Sequence, residues 1–236
     1  VEYTYKYRED CWFKGKCPRE KRIGCDSACV IQSEFAYLLN TSNLPKELMK
    51  TTPLQPDTRD LPAFYTLSDI QKDAENFVTD GRFLYLWSLN LGNGKTSFAA
   101  KIAKTYMAMK CIGNNYRDRV WFEYVPTFLL MSKDFANKDE RQEHIKNSMK
   151  RELLILDDIG AVQNTSYDIS TLSSLIDYRY SNGLATIFTS NISPEMLATN
   201  IGSRLADRVL SDVCLELVGA SRRDHDNKYV SRRGKK

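Results

Sequence analysis

The chain has 236 residues, 42% of them apolar and 27% charged, with a formal net charge of +4. That is enough for one domain of ordinary size, with a real core, and a small appendage. No apolar run approaches the eighteen or so residues of a membrane span, and the opening VEYTYKYRED is too polar for a secretory leader, so no membrane partner is expected.

Four cysteines come early, at Cys11, Cys17, Cys25 and Cys29, and their clustering points to a local framework of metal or disulfide. Cys111 and Cys214 lie apart in apolar surroundings and read as core thiols. A helix is expected over 32–39. Pro45, Pro53, Pro56 and Pro62, with TTPLQPDTRD among them, have the chemistry of a linker. The expected organisation is a small unit over 1–50, a linker over 51–62 and a main domain over 63–225. The basic tail over 226–236 reads as solvated, with contact to nucleic-acid phosphates as the rival.

Beyond the linker, elements alternate. Ser68-Asp69-Ile70-Gln71 is a capping box for a short helix ending near Val78. FLYLW, over 83–87, is a run suited to a strand buried on both faces, and the helical spacing of Phe98, Ile102 and Tyr106 follows it. A strand over 120–125, helices over 127–132 and 139–150, and a strand over 153–156 come next. A helix carrying Leu172, Leu175 and Ile176 closes at Gly183. A strand over 185–190, a helix opened by Ser193-Pro194, a helix over 203–210 and a fifth strand in VCLELV complete the pattern. Strands alternating with helices predict an α/β fold, a five-stranded parallel sheet flanked by helices.

Three motifs fall at strand ends. SLNLGNGKTS closes as the phosphate-binding pattern G-x-x-x-x-G-K-[ST], but Leu89 stands where its first glycine belongs. A strand before it and a helix after it supply the context in which loop N–H groups and a helix N-terminus converge on an anion. Gly92, Asn93, Gly94, Lys95, Thr96 and Ser97 are the candidate nucleotide contacts. Lys95 would reach the β- and γ-phosphates, and the Thr96 hydroxyl would hold Mg²⁺. RELLILDDIG delivers two carboxylates at the sheet edge where ligands of parallel sheets bind. Asp157 would serve Mg²⁺, and Asp158 would orient or deprotonate the attacking water. Thr189-Ser190-Asn191 ends the next strand, with the Asn191 amide placed for the γ-phosphate or that water. Arg204 and Arg208, four apart on one helix, read either as surface partners of acidic groups or as an arginine acting in trans.

GNGKTS, LLILDDIG, FTSN and SRLADR, in this order, resemble the AAA+ ATPases of the DnaC/DnaI helicase-loader and IstB group, over residues 64–223. The resemblance implies ATP or ADP binding with Mg²⁺, without a C-terminal lid domain. It makes Lys95 and Thr96 Walker A, Asp157 and Asp158 Walker B, Asn191 sensor 1, and Arg204 or Arg208 the arginine finger. Arg222 or Arg223 falls where the group has a late arginine. Asp158 replaces the Glu of many AAA+ proteins, which implies slow, switch-like hydrolysis. The group carries a helical insertion used on single-stranded DNA. Here VPTFLLMSKDFANKDERQEHIKNSMKRE fills that place, mixing Lys133, Lys138, Lys146 and Lys150 with Phe128 and Phe135, and ordinary amphipathic packing competes with the DNA role. In a cytoplasmic protein, of a bacterial or phage-infected cell, disulfides are rare. The four early thiolates then suit Zn²⁺, with an iron–sulfur cluster as the alternative. A zinc-binding N-terminal domain resembles the DnaI type, in which it docks on the helicase. The implied function is an ATPase that self-associates on ATP and DNA and places a hexameric replicative helicase on single-stranded DNA. The rivals are a transposition-helper ATPase and a nucleotide-gated adaptor or inhibitor.

Overall fold

The computed structural model describes residues 11–14, 17, 29–50, 57–111, 117–133, 138–161 and 165–222. The apolar runs become strands β1 (Phe83–Trp87), β2 (Val120–Tyr124), β3 (Leu153–Asp157) and β4 (Ala185–Ser190), and VCLE becomes β5 (Val213–Glu216). They form one sheet in the order β2-β3-β4-β1-β5, every neighbouring pair parallel. Successive strand residues point to opposite faces, and each face has its own core. Leu84, Leu86, Phe122, Ile155 and Ile187 pack under α1 (Val30–Asn40), α3 (Leu61–Lys72), α4 (Ala74–Thr79) and α5 (Lys95–Lys110). Phe83, Tyr85, Trp121, Leu154, Leu156 and Phe188 pack under α6 (Val125–Ser132), α8 (Ser166–Ser181), α9 (Pro194–Ile201) and α10 (Ser203–Val209). Helix α7 (Lys138–Lys150) lies beside β2 and α8. Among the described residues no helix is long and apolar enough to cross a membrane.

The strand order fixes where a ligand can sit. From β1 the chain crosses β4 and β3 to reach β2; from β4 it passes β1 to reach β5. The two connections leave in opposite directions, so the carboxyl ends of β1 and β4 open a crevice at a topological switch point. The parallel α/β architecture expected from the sequence is the one observed.

Four features differ from or add to the expectations. First, Phe35, Leu38, Leu39, Leu44 and Met49, from the expected 1–50 unit, belong to the same buried cluster as Ile102 and Met107 of α5. Asn43 Nδ2 donates to Phe122 O at 2.8 Å, and Lys104 Nζ donates to Leu48 O and Lys50 O, both at 2.7 Å. Lys104 thereby caps α2 (Lys46–Met49), because the last carbonyls of a helix lack partners of their own. Second, the end of the expected linker is ordered structure. Thr58–Asp60 is a 3-10 turn, and Pro62 lies in the first turn of α3. Residues 51–56 lie outside the described residues, as does the 226–236 tail. Third, Ser68 opens no helix; it lies inside α3, whose true start is marked by Pro62, pre-set for the helical φ. Fourth, Cys111 is buried but Cys214 is exposed, since β5 is an edge strand pairing with β1 alone among the described residues.

Candidate functional site

The loop from β1 to α5 lies at this crevice. Ser88 N donates to Ser190 O at 3.1 Å, fastening the loop's first residue to the end of β4. Gly94 caps α5 at φ 104°, a conformation that L side chains rarely adopt, so the second loop glycine is required by the backbone. Lys95 opens the helix; it is buried, and its Nζ donates to Asn90 O at 3.2 Å, inside the loop. Leu89 and Leu91 are 69% and 62% exposed, so neither fills the loop's interior. Asn93 is fully buried: its amide faces Ser88 and Leu217, leaving only its backbone to face a phosphate. Ser97 is half-buried in the first turn of α5.

The two carboxylates meet this loop. The Thr96 hydroxyl donates to Asp157 Oδ1 at 2.7 Å, and the Thr189 hydroxyl donates to the same oxygen at 2.6 Å. Thr189 Oγ1 also accepts from Asp158 N at 3.1 Å, so one buried threonine holds both acidic residues. Asp158 has φ 62°, left-handed backbone that costs a side-chain-bearing residue about 1–2 kcal/mol. Its Oδ1 accepts from Asn191 Nδ2 at 2.9 Å. Burial raises the Asp158 carboxyl above the usual carboxylate range and the Asp157 charge adds to this; Lys95 and the Asn191 amide oppose it. A hydroxyl and a carboxylate in contact are hard oxygen donors, the set that Mg²⁺ takes, so Thr96 and Asp157 fit that ion. Loop, carboxylates and Asn191 are thus brought together as their spacing predicts.

Among solved structures, a putative primosome component from Streptococcus pyogenes serotype M3 matches with a TM-score of 0.61. It is 26% identical, and the match covers 80% of this chain and 98% of that one. The crystal structure of the DnaC helicase loader matches at TM-score 0.58 and 21% identity, over 69% of this chain and 93% of that one. The replication initiator DnaA bound to AMPPCP and single-stranded DNA matches at 0.55 and 17%, over 68% and 47%. The fold is that of AAA+ P-loop domains. No family model matches the chain. The replicative helicase loader DnaI of Bacillus subtilis strain 168 is 30% identical over 191 residues, 77% of this chain and 55% of that protein. The chain resembles the DnaC/DnaI-type helicase loaders. It spans about half the length of that curated relative.

The candidate arginines divide between two places. Arg204 and Arg208 are not at the loop; both pair with Asp177 of α8, Arg204 Nη2 at 3.7 Å. Arg208 also stacks on the Tyr180 ring at 5.5 Å, whereas the Arg204 side chain is 82% exposed. Arg222, which the motif spacing marked only loosely, does reach the loop: its N donates to Gly92 O at 2.8 Å, and its guanidinium lies against Gly94 and the Phe98 ring.

The segment between β2 and β3 is a packed pair of helices. Phe128 is 2% exposed and belongs to the core, not to a stacking surface; Phe135 lies outside the described residues. Lys133 pairs with Asp168, while Lys146 and Lys150 line an open groove with Arg117, Arg151, Asp118 and Glu143, Arg151 being paired with Asp118. Of the four early cysteines, Cys25 lies outside the described residues, and among those described no three metal-ligating side chains form a group. Thr189 and Arg222 are the functional positions that sequence reasoning underweighted. The signal for Thr189 was there, in its place two residues before Asn191 at a strand end.

Proposed function

We propose that the chain is an ATP-dependent loader that places a hexameric replicative helicase on single-stranded DNA, acting in the cytoplasm. The observation that carries the reading is the meeting of Thr96 with Asp157, 61 residues apart, beside a buried Lys95. The likeness to DnaI supports the helicase as partner. The loop's N–H groups and Lys95 bind the phosphates, and Thr96 with Asp157 would hold Mg²⁺. Bound there, the ion neutralises charge on the β- and γ-phosphate oxygens. Asp158 takes the attacking water, its Oδ1 oriented by the Asn191 amide and its Oδ2 left for the water. Its side chain is shorter than that of Glu, which supports a slow switch more than a fast turnover enzyme.

Arg204 is the better candidate for the trans arginine, because its side chain is exposed and its contact with Asp177 is long, whereas Arg208 is held by Asp177 and Tyr180. Lys146, Lys150 and their groove are the surface offered to DNA phosphates. The four-cysteine zinc site remains part of the proposal on its sequence clustering, and metal analysis of the purified chain tests it.

The deciding experiment uses the full chain, since residues 30–50 share the ATPase core. Co-purification with a replicative helicase, and an ATPase stimulated by single-stranded DNA and lost in Lys95→Ala, are expected. Helicase binding without any hydrolysis would make it a nucleotide-gated adaptor. Capture of a transposase in place of the helicase would replace the loader reading.

A further inference from the structure

The phosphate loop keeps its shape without its first glycine, and the structure shows what holds it. Among the described non-glycine residues only Asn43 and Asp158 have positive φ, so Leu89 sits in ordinary backbone and its side chain projects outward. The left-handed turns fall later, at Gly92 and Gly94. Residues 89–91 are instead secured by side-chain amides. Asn90 Nδ2 donates to Val218 O at 2.9 Å and Gly219 O at 3.1 Å. Asn93 Nδ2 donates to Leu217 O at 3.0 Å and to Ser88 Oγ at 2.6 Å, and the same hydroxyl accepts from Asn90 N at 3.0 Å. The acceptors all lie in the loop's first residue or in the segment that follows β5.

That segment is gripped from its other side. Asp60 Oδ1 accepts from Val218 N at 2.7 Å and Gly219 N at 3.0 Å, and Asp57 Oδ2 accepts from Ala220 N at 3.4 Å. Asp60 is 2% exposed. Leu217 N and Arg222 N close the two ends, donating to Trp87 O and Gly92 O at 2.9 and 2.8 Å. Residues 217–222 are thus a strap whose carbonyls face two asparagines and whose N–H groups at 218–220 face two carboxylates. Buried backbone groups need such partners, and here side chains supply what a further strand would.

We infer that Asn90, Asn93 and Asp60 are positioning residues, which shape the phosphate loop through the 217–220 backbone. The inference rests on the nucleotide-binding reading above. Leu89, exposed and in ordinary backbone, takes no part in this bracing.

Binding of a fluorescent ATP analogue to the full chain tests this, with Asn90→Ala, Asn93→Leu and, as the control, Leu89→Ala, whose side chain is exposed. Each asparagine variant should weaken binding by about tenfold, the effect of losing one or two net hydrogen bonds. Hydrogen exchange without nucleotide should rise at amides 90–94 in the asparagine variants and not in Leu89→Ala. Asn90 is exposed, so its variant stays folded even if Asn93→Leu does not. Unchanged affinity and exchange in Asn90→Ala overturn the inference while nucleotide binding stands. A wild-type chain that binds no nucleotide, with exchange at 90–94 rising as described, sinks the nucleotide reading and leaves the bracing of the loop intact.

Discussion

Thr189 donates to Asp157 Oδ1 at 2.6 Å while its own oxygen accepts from Asp158 N at 3.1 Å, so a single hydroxyl on β4 registers the two acidic residues at the end of β3. Asp157 cannot turn without losing the bond, and the left-handed turn at Asp158 is held by it. Thr189→Val removes the hydroxyl and keeps the shape. It should raise the Mg²⁺ concentration needed for nucleotide binding by about tenfold, from the loss of a hydrogen bond to a charged group. Thr189→Ser should restore it. Titration of nucleotide affinity against Mg²⁺ is the measurement; a shift equal with and without the ion would make Thr189 merely structural.

Arg204 and Arg208 should separate. Arg208→Ala loses its pairing with Asp177 and its stacking on Tyr180, and a drop of about 1 kcal/mol in the stability of the isolated subunit is expected. Arg204→Ala should leave the melting temperature in place and abolish the rise of specific ATPase activity with protein concentration. Mixing Arg204→Ala with Lys95→Ala subunits should recover activity, since each then supplies what its neighbour lacks. No recovery in the mixture argues against a trans role.

Glu123, 2% exposed on β2, accepts through Oε1 from Trp121 Nε1 at 2.6 Å, Ser148 Oγ at 3.0 Å and the His144 ring at 3.0 Å. Burial raises its carboxyl above the ordinary value of 4.5, against the opposing pull of these partners. Over the window from 4.5 up to the raised value, the folded state holds the proton that the unfolded chain has lost. Stability therefore falls as pH rises through that window and is level above it. Glu123→Gln should lack this fall. Denaturant unfolding of both proteins across mildly acidic pH reads the difference, and parallel curves would refute it.

Gly219 has no room for a side chain: an added Cβ would lie 2.3 Å from Asp60 Oδ2 and 2.7 Å from Asp57 Cβ. Gly219→Ala should cost about 1–3 kcal/mol, the usual range for overpacking. Asp60→Ala in the same chain should not add its full effect, because it empties the space the methyl needs. Calorimetric melting of the two single variants and the double variant decides this.

The strands were legible because each is a short apolar run between polar turns, and the site because its motifs close those runs at one sheet edge. What could not be read was which distant backbone each polar side chain serves. Asp60 looked like part of a linker, yet it binds Val218 N, 158 residues away. Arg179 was marked by no motif. It is fully buried, donating to Ser148 O and Arg151 O at the end of α7 and to Thr186 Oγ1 of β4. A helix was expected over 32–39, but a local pattern does not name the core it joins, and α1 joined the core of the sheet. Ser68 misled because a capping-box pattern carries no information about a helix already begun at Pro62.

Lys95 and Lys104 stand on one helix, nine residues and about 14 Å apart at the rise of an α-helix. The first donates to Asn90 O in the β1–α5 loop; the second grips the carbonyls of Leu48 and Lys50 and lies over the Trp12 ring at 5.6 Å. Helix α5 is therefore one unbroken rod, with the β1–α5 loop at one end and residues 48–50 held at its middle. A shift of its first turn would be carried to the residues that Lys104 grips.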